Sequence, residues 1–267
     1  MARLFIFGLG YTAQRIKASL EMQGWQIDAT GSAGNLDFAN GDAVRAAIAG
    51  CDHVLSSVPP DRKGGEDAVL EAYAQDIAGK RLAYLSSTGV YGDAGGAWVD
   101  ESSPTGAGRR NARTKADARW MAMDARVFRL PGIYGPGRSA LDRVREGKSR
   151  RIDLPDQVFS RCQVDDIASG VVTGLRKDAP PGAYNLSDDL PTNANEVTEY
   201  ACALLGIAAP PLETLERANL SEMARGFYAE NRRVANGKAK RVLGWRPQYP
   251  TYVEGLRSLL GAGQESA

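Results

Sequence analysis

Three short stretches of this 267-residue chain combine residue types and spacings that can do chemistry. The first is Gly8-Leu9-Gly10-Tyr11-Thr12-Ala13, which follows the apolar run Leu4-Phe5-Ile6-Phe7 and opens a helical pattern. Two glycines there permit a tight turn and the close approach of a ligand, and a small third residue lets helix and strand pack together. A helix that starts at such a turn offers free amides and a partial positive charge, the chemistry that holds a phosphate bridge. The second stretch, Leu85-Ser86-Ser87-Thr88-Gly89-Val90-Tyr91-Gly92, puts hydroxyls at a strand exit, where they either act on a ligand or cap backbone groups. In the third, Asn111-Ala112-Arg113-Thr114-Lys115, two polar side chains four residues apart share one helix face. The lysine brings a charge; the asparagine has no accessible proton, although it donates and accepts hydrogen bonds.

The elements that position these stretches are legible as alternating short apolar runs and helical patterns. Strands are expected at 4–7, 26–30, 53–57, 82–87 and 126–130, with a weak one at Leu36-Asp37-Phe38. Helices are expected near 12–22, around Val44, Ala47 and Ile48, near 66–78 and near 114–123. This alternation predicts an α/β fold with a doubly wound parallel sheet, covered on both faces, with its crevice at the carboxyl ends of the strands. After about Gly132 the texture turns to Gly/Pro-punctuated loops, with linker signals at 178–182 and 208–211. The last residues, 263–267, are expected to fray.

The tip of the second strand bears on which dinucleotide would fit. Gly31 and Ser32 stand where an acidic residue would hold the ribose 2′-hydroxyl of NAD, and Asp28 lies within the strand. The missing carboxylate removes a charge that would repel a 2′-phosphate, so NADP is favoured and NAD is the alternative.

Other chemistries are weaker. The sole histidine, His53, opens a strand at the end away from the crevice, which excludes a hydrolase triad with Ser87 and leaves it a packing residue without metal partners. No metal site is expected. The adjacent acids Asp100-Glu101, Asp165-Asp166 and Asp188-Asp189 read as caps and solvated loops, although Asp100 or Glu101 could reach a substrate. Arg109, Arg110, Arg113 and Lys115 form the densest basic cluster, either a solvated face or an anion site, and Arg138 and Arg161 are further candidates for that task. Lys plus Arg is 33 against 32 for Asp plus Glu, so a nucleic-acid or membrane-surface partner is not expected. Aromatic residues, 7% of the chain, are not interleaved with the basic ones, which argues against single-strand binding. No run approaches the roughly 20 apolar residues of a membrane span, and the N-terminal run is too short for a signal peptide. Cys51, Cys162 and Cys202 lie far apart, so no disulfide framework is expected and a reducing cytoplasm is the simplest home.

Taken together with Arg129-Leu130-Pro131-Gly132-Ile133-Tyr134-Gly135-Pro136-Gly137, the Ser86-Ser87 strand exit resembles the extended short-chain dehydrogenase/reductases, the NAD(P)-dependent epimerase/dehydratase family. Further matches are Gln163-Val164-Asp165-Asp166-Ile167-Ala168, Tyr184-Asn185-Leu186-Ser187-Asp188 and Leu243-Gly244-Trp245-Arg246-Pro247, in the family's order along nearly the whole chain. The resemblance implies a Rossmann domain over residues 1–160, rejoined by a strand near 184–186, and a small substrate-binding region over 161–267. It implies catalysis by Ser87, with Lys115 fixing the cofactor ribose. It implies cofactor contacts from Gly8, Leu9, Gly10, Tyr11, Thr12, Ala13, Gly31, Ser32, Val58, Pro59 and Lys115, with Pro131, Gly132 and Ile133 along the nicotinamide. Its implied partners are a small-molecule substrate and a second copy of the chain in a homodimer.

Two positions depart from the family's pattern. Asn111 stands where the family has the tyrosine of its Tyr-x-x-x-Lys pair, and losing such an acid–base group typically costs about 10² to 10⁴ in rate. Gln163 replaces a histidine, which reads as a packing change. Such departures resemble the atypical subgroup with an incomplete tetrad. Two functions are therefore expected in competition. One is an NAD(P)-dependent oxidoreductase or epimerase/dehydratase-like enzyme on a small polar or sugar-like substrate. The other is a catalytically impaired NADP-binding sensor or regulatory protein. Tyr91 is a candidate proton carrier, but the Val90-Tyr91-Gly92 turn looks structural.

Overall fold

The computed structural model describes residues 2–61, 65–106, 111–176 and 178–262. Arg109 and Arg110 of the basic cluster, and the tail 263–267, lie outside the described residues.

The first strand shows why the sheet is buried on both faces. In β1 (Arg3–Phe7), Leu4, Phe5, Ile6 and Phe7 are all fully buried. Alternation sends Leu4 and Ile6 into one core and Phe5 and Phe7 into the other. β2 (Gln26–Ala29), β3 (His53–Ser56), β4 (Arg81–Ser87), a separate short β5 (Trp98–Val99) and β6 (Arg126–Leu130) follow. Beyond them come β7 (Gly132–Tyr134), β8 (Arg151–Ile152), β9 (Arg161–Gln163), β10 (Gly182–Asn185), β11 (Leu212–Glu213) and β12 (Arg233–Val234). The central sheet runs β10-β6-β4-β3-β1-β2 and every pairing in it is parallel. Its order reverses beside β1, so a crevice opens where β1 and β3 end.

Helices cover both faces. α1 (Tyr11–Glu21) lies on one side through Ile16 and Leu20; α2 (Gly41–Ala49), α3 (Ala68–Tyr73) and α4 (Asn111–Ala122) lie on the other, where Val44, Leu70 and Trp120 fill the core. The expected helix near 66–78 is shorter, starting at Ala68 where Asp67 caps it by accepting from the Val69 and Leu70 amides and ending at Tyr73. The helix expected near 114 is described from Asn111, which places Asn111 and Lys115 one turn apart on it.

The expected strand at Leu36-Asp37-Phe38 does not form; only Leu36 makes a single bridge, to Thr30. Here the edge of β2 is taken by a side chain. Asn35 Oδ1 accepts the Ala29 amide at 2.8 Å, and a Cβ on Gly34 would lie 2.3 Å from the Ala29 carbonyl. The chain doubles back too tightly to add a strand.

A third core holds the rest together. α5 (Ala140–Arg145), α7 (Ala194–Leu205) and α10 (Tyr252–Ala262) pack through Leu141, Val144, Cys202 and Leu256. α6 (Val164–Gly174) returns to lie beside α1, while the short α8 (Glu222–Phe227) and α9 (Gly237–Val242) complete the chain. Among the described residues no helix is long and apolar enough to cross a membrane, and no group of three or more His, Cys, Asp or Glu could hold a metal ion.

Candidate active site and dinucleotide crevice

Three strand ends meet in backbone contact at the crevice. Gly8 has φ +81°, and a Cβ there would lie 2.9 Å from Val58 Cγ2. Gly31 has φ +105°, and a Cβ there would lie 2.8 Å from the Leu9 amide nitrogen. Both positions need glycine for conformation and space. At position 31, then, the backbone rejects every side chain, acidic or not. The junction is tied by Leu9 N donating to the Thr30 carbonyl at 2.7 Å, Gly8 N donating to Thr30 Oγ1 at 3.2 Å, and the Ser57 hydroxyl donating to the Gly8 carbonyl. Sequence reasoning passed over Thr30 and Ser57, because a hydroxyl at a strand end carries no signal of its partner.

Gly10 differs from its neighbours. Its φ of −91° suits any residue, and a Cβ would meet nothing within 4 Å. It is the N-cap of α1, no side chain caps that end, and the first turn carries no acid. The amides of Tyr11, Thr12 and Ala13 therefore have no intrahelical acceptor. Ala13, 1% exposed, packs closely beneath. An open, uncapped and acid-free helix start behind a glycine cradle fits a diphosphate.

Beyond Gly31 a hollow of about 420 Å³ is lined by Gly34, Asn35, Leu36, Asp37 and Phe38. A second, of about 680 Å³, continues past Phe38 to Asn40, Arg45 and Tyr73. Asp28 is engaged elsewhere, accepting from Asn35 Nδ2 at 2.9 Å and pairing with Arg3 at 3.4 Å. Gly31 and Ser32 are exposed at the lip, Val58 is half-buried and Pro59 exposed.

At the other end of the crevice, α4 packs on β4, β6 and the turn after Ser87. Ser87 Oγ accepts from the Gly89 amide at 3.1 Å, which keeps its own proton available. Asn111 and Lys115 are exposed, and Lys115 makes no hydrogen bond or ion pair among the described residues. Pro131 and Ile133 are half-buried and Gly132 is exposed, the last two lying in β7 where it pairs with β9.

A buried network underlies this end. Ser86 Oγ donates to Asp117 Oδ2 at 2.6 Å, Arg129 Nη2 donates to Asp117 Oδ1 at 2.7 Å, and Arg129 Nη1 donates to Tyr91 Oη at 3.1 Å. Tyr91 in turn donates to Asn185 Oδ1 at 2.8 Å. Burial pulls the Arg129 guanidinium down, but Asp117 and Tyr91 outweigh it and leave the group above its ordinary value. Burial also raises the Tyr91 phenol against the pull of Arg129. Tyr91 is thus a buried member of the network. Asp117 was missed because an acid on a charged helix reads as solvated.

The remaining candidates resolve separately. Arg113 leaves the basic cluster, donating to Tyr84 Oη at 2.8 Å and to the Leu85 carbonyl at 3.3 Å. Burial pushes the Tyr84 phenol up to about 12, with Arg113 opposing. Gln163 caps α6 and Asp166 accepts the Gln248 and Tyr249 amides at 2.6 and 2.9 Å, so that motif is a tether. Asp100 holds the Ser102 hydroxyl and amide, and Glu101 accepts the Asn185 amide at 2.7 Å. His53, 8% exposed, packs edge-on against Trp25, and burial lowers its pKa.

Asp188 corrects the reading of its pair as a solvated loop. It is 2% exposed, and burial raises its pKa to about 7 even with Arg161 nearby. Both its carboxylate oxygens, Arg161 Nη1 and the Tyr134 hydroxyl have no hydrogen-bond partner among the described residues. Arg161 is buried under the Tyr252 ring with Nη2 on the Thr192 carbonyl, away from any open surface.

No protein-family model matches the chain. A functionally unknown conserved protein from Silicibacter pomeroyi DSS is 38% identical, with 98% of this chain and 99% of that one covered and a TM-score of 0.87. A 3-diazoavenalumate denitrifying reductase from Streptomyces sp is 32% identical over 143 residues. That match spans 49% of this chain and about half, 45%, of the reductase. The dTDP-glucose 4,6-dehydratase of Bacillus anthracis str. Ames, in complex with NAD, superposes with a TM-score of 0.79 at 17% identity, covering 100% and 97% of the two chains. Human epimerase family protein SDR39U1, with NADPH, gives 0.76 at 16%, covering 97% and 99%. The chain belongs to one family with the Silicibacter pomeroyi protein, and its fold is that of the extended short-chain dehydrogenase/reductases, the NAD(P)-dependent epimerase/dehydratases.

Proposed function

We propose that this chain is a nicotinamide-dinucleotide-dependent reductase with an atypical active site, acting on a small polar substrate. The observation that carries the reading is the start of α1, uncapped and free of acid behind Gly8, Gly10 and Gly31. Support comes from the solved neighbours that hold NAD or NADPH and from the partial relative that is a reductase.

In this reading the α1 amides and Gly10 hold the diphosphate, and Leu36 and Phe38 offer apolar surface to the adenosine end. Val58, Pro59, Pro131, Gly132 and Ile133 flank the nicotinamide, which when bound supplies a hydride. Ser87, whose oxygen already accepts from Gly89, donates its proton in a hydrogen bond that polarises the substrate. Lys115 binds the ribose hydroxyls. Asn111, one helical turn before it, orients the substrate and moves no proton. The lip at Gly31 and Ser32 bears no charge of either sign, so NADP(H) binds at least as tightly as NAD(H).

Calorimetric titration with NADPH and NADH tests the cofactor. A tenfold preference for NADH, about 1.4 kcal/mol, overturns the choice. A screen of carbonyl compounds and sugars with NADPH then tests turnover, and Lys115→Ala should weaken any activity found. The second reading, a cofactor-binding sensor, is favoured by Asn111 alone; tight binding with no cofactor oxidation across the screen would select it.

A further inference from the structure

The hairpin tip that follows β7 lies over the start of α1 and carries an exposed charge. Gly135 and Arg138 exchange backbone hydrogen bonds at 3.3 and 3.0 Å around Pro136 and Gly137, and Gly137 has φ +69°. Tyr11 Oη, from the first residue of α1, donates to the Pro136 carbonyl at 3.1 Å. A Cβ on Gly135 would lie 2.5 Å from that hydroxyl and 2.6 Å from Val164 Cγ1, so the tip is seated against both helices. On its other side Ser139 begins α5 with a capping box to Asp142. Arg138 is therefore fixed at both flanks.

Its side chain projects back over α1, with the guanidinium carbon 5.7 Å from the Tyr11 ring centroid. Arg138 is exposed, and no carboxylate lies within ion-pair distance of it among the described residues. The nearby acids are engaged: Asp165 pairs with Arg15 at 3.7 Å, and Asp142 holds Ser139 and Arg145. An exposed guanidinium with no ion pair among the described residues thus stands beside a helix start that has neither cap nor acid. Both are positive.

Resting on the dinucleotide reading above, we infer that Arg138 reaches to the diphosphate, closing from the turn after β7 what the α1 amides hold from beneath. Guanidinium forks match phosphate oxygens, and the Tyr11 ring beneath directs the fork. Arg138 is then a binding residue that recognises the charge of the bridge and not the nicotinamide.

The test is calorimetric titration of the wild type, R138Q and R138K with NADPH, ADP and adenosine, at two salt concentrations. R138Q, an exposed substitution, should weaken NADPH and ADP by about tenfold and leave adenosine unchanged. R138K should recover part of the loss, and the salt dependence of binding should flatten in R138Q. Wild type that binds NADPH and ADP while R138Q binds them equally well overturns the role of Arg138 alone. Wild type that binds neither overturns it together with the dinucleotide reading.

Discussion

Two helices that lie side by side, α1 and α6, begin in opposite ways. α6 starts with Gln163 as a cap and two aspartates in its first turn, and Asp166 holds the amides of Gln248 and Tyr249. Trp245 Nε1 also donates to the Asp166 carbonyl at 3.1 Å. Every favourable position at that helix start is occupied by the protein itself, and the outcome is a tether for the chain's last helix. α1 starts with a glycine, no cap and no acid. The same fold thus treats one helix dipole as a structural element and leaves its neighbour open to a ligand. The lesson is that a helix start becomes a site by what the sequence withholds.

The contrast can be broken from the α6 side first. Asp166→Ala leaves two amides without their acceptor and should cost about 2–4 kcal/mol, read as a fall in Tm. Dinucleotide affinity, measured below the melting range, should hardly move. A variant that melts like wild type would show that the tether carries no stability.

From the α1 side, Gly10→Asp should move stability and binding in opposite directions. The extended backbone and open space at Gly10 accept the side chain, and an aspartate N-cap should add about 0.5–1 kcal/mol. The same carboxylate occupies the phosphate position and repels it, so NADPH affinity should fall by about 100-fold or more. If the variant still binds NADPH as wild type does, the ligand lies elsewhere.

Asp188 sharpens the comparison, being a carboxylate whose burial outweighs the pull of Arg161 and the backbone around it. Its folded pKa of about 7 exceeds the unfolded value of about 3.9. Between those values the folded state keeps a proton that the unfolded state has released, so this group lowers stability as pH rises through the window and contributes no slope above it. Asp188→Asn removes that slope, and its Tm should gain on wild type between about pH 5 and about pH 8. A gap that is constant with pH would mean the carboxylate is already ionised in the fold.

Much of this was readable from the residues. The β1 run and Gly8-Leu9-Gly10 announce a strand, a turn and a helix because apolar period, glycine placement and helix start agree there. His53 was placed by strand direction, whereas Gln163, read as a packing change, caps α6. What escaped was tertiary pairing. Asp117 finds Ser86 and Arg129, 31 and 12 residues away, and nothing local distinguishes it from a solvated acid. Asp188 escaped for the same reason. Leu36-Asp37-Phe38 alternates like a strand, yet Asn35 occupies the edge it would have used. Gly31 invited an argument about charge when backbone crowding at Leu9 decides it.

The placement of α6 beside α1 also orders events during synthesis. Over half of the chain separates Glu21, where α1 ends, from Val164, where its neighbour begins. A nascent chain that has emerged through β4 holds the complete glycine turn, yet Ile16 and Leu20 still lack the cover of Ile167 and Val171. Contacts of such long sequence separation form late and slowly. On the proposed reading, dinucleotide capture therefore belongs to the end of translation, and until then the exposed flank of the first helix is a surface for chaperones to shield.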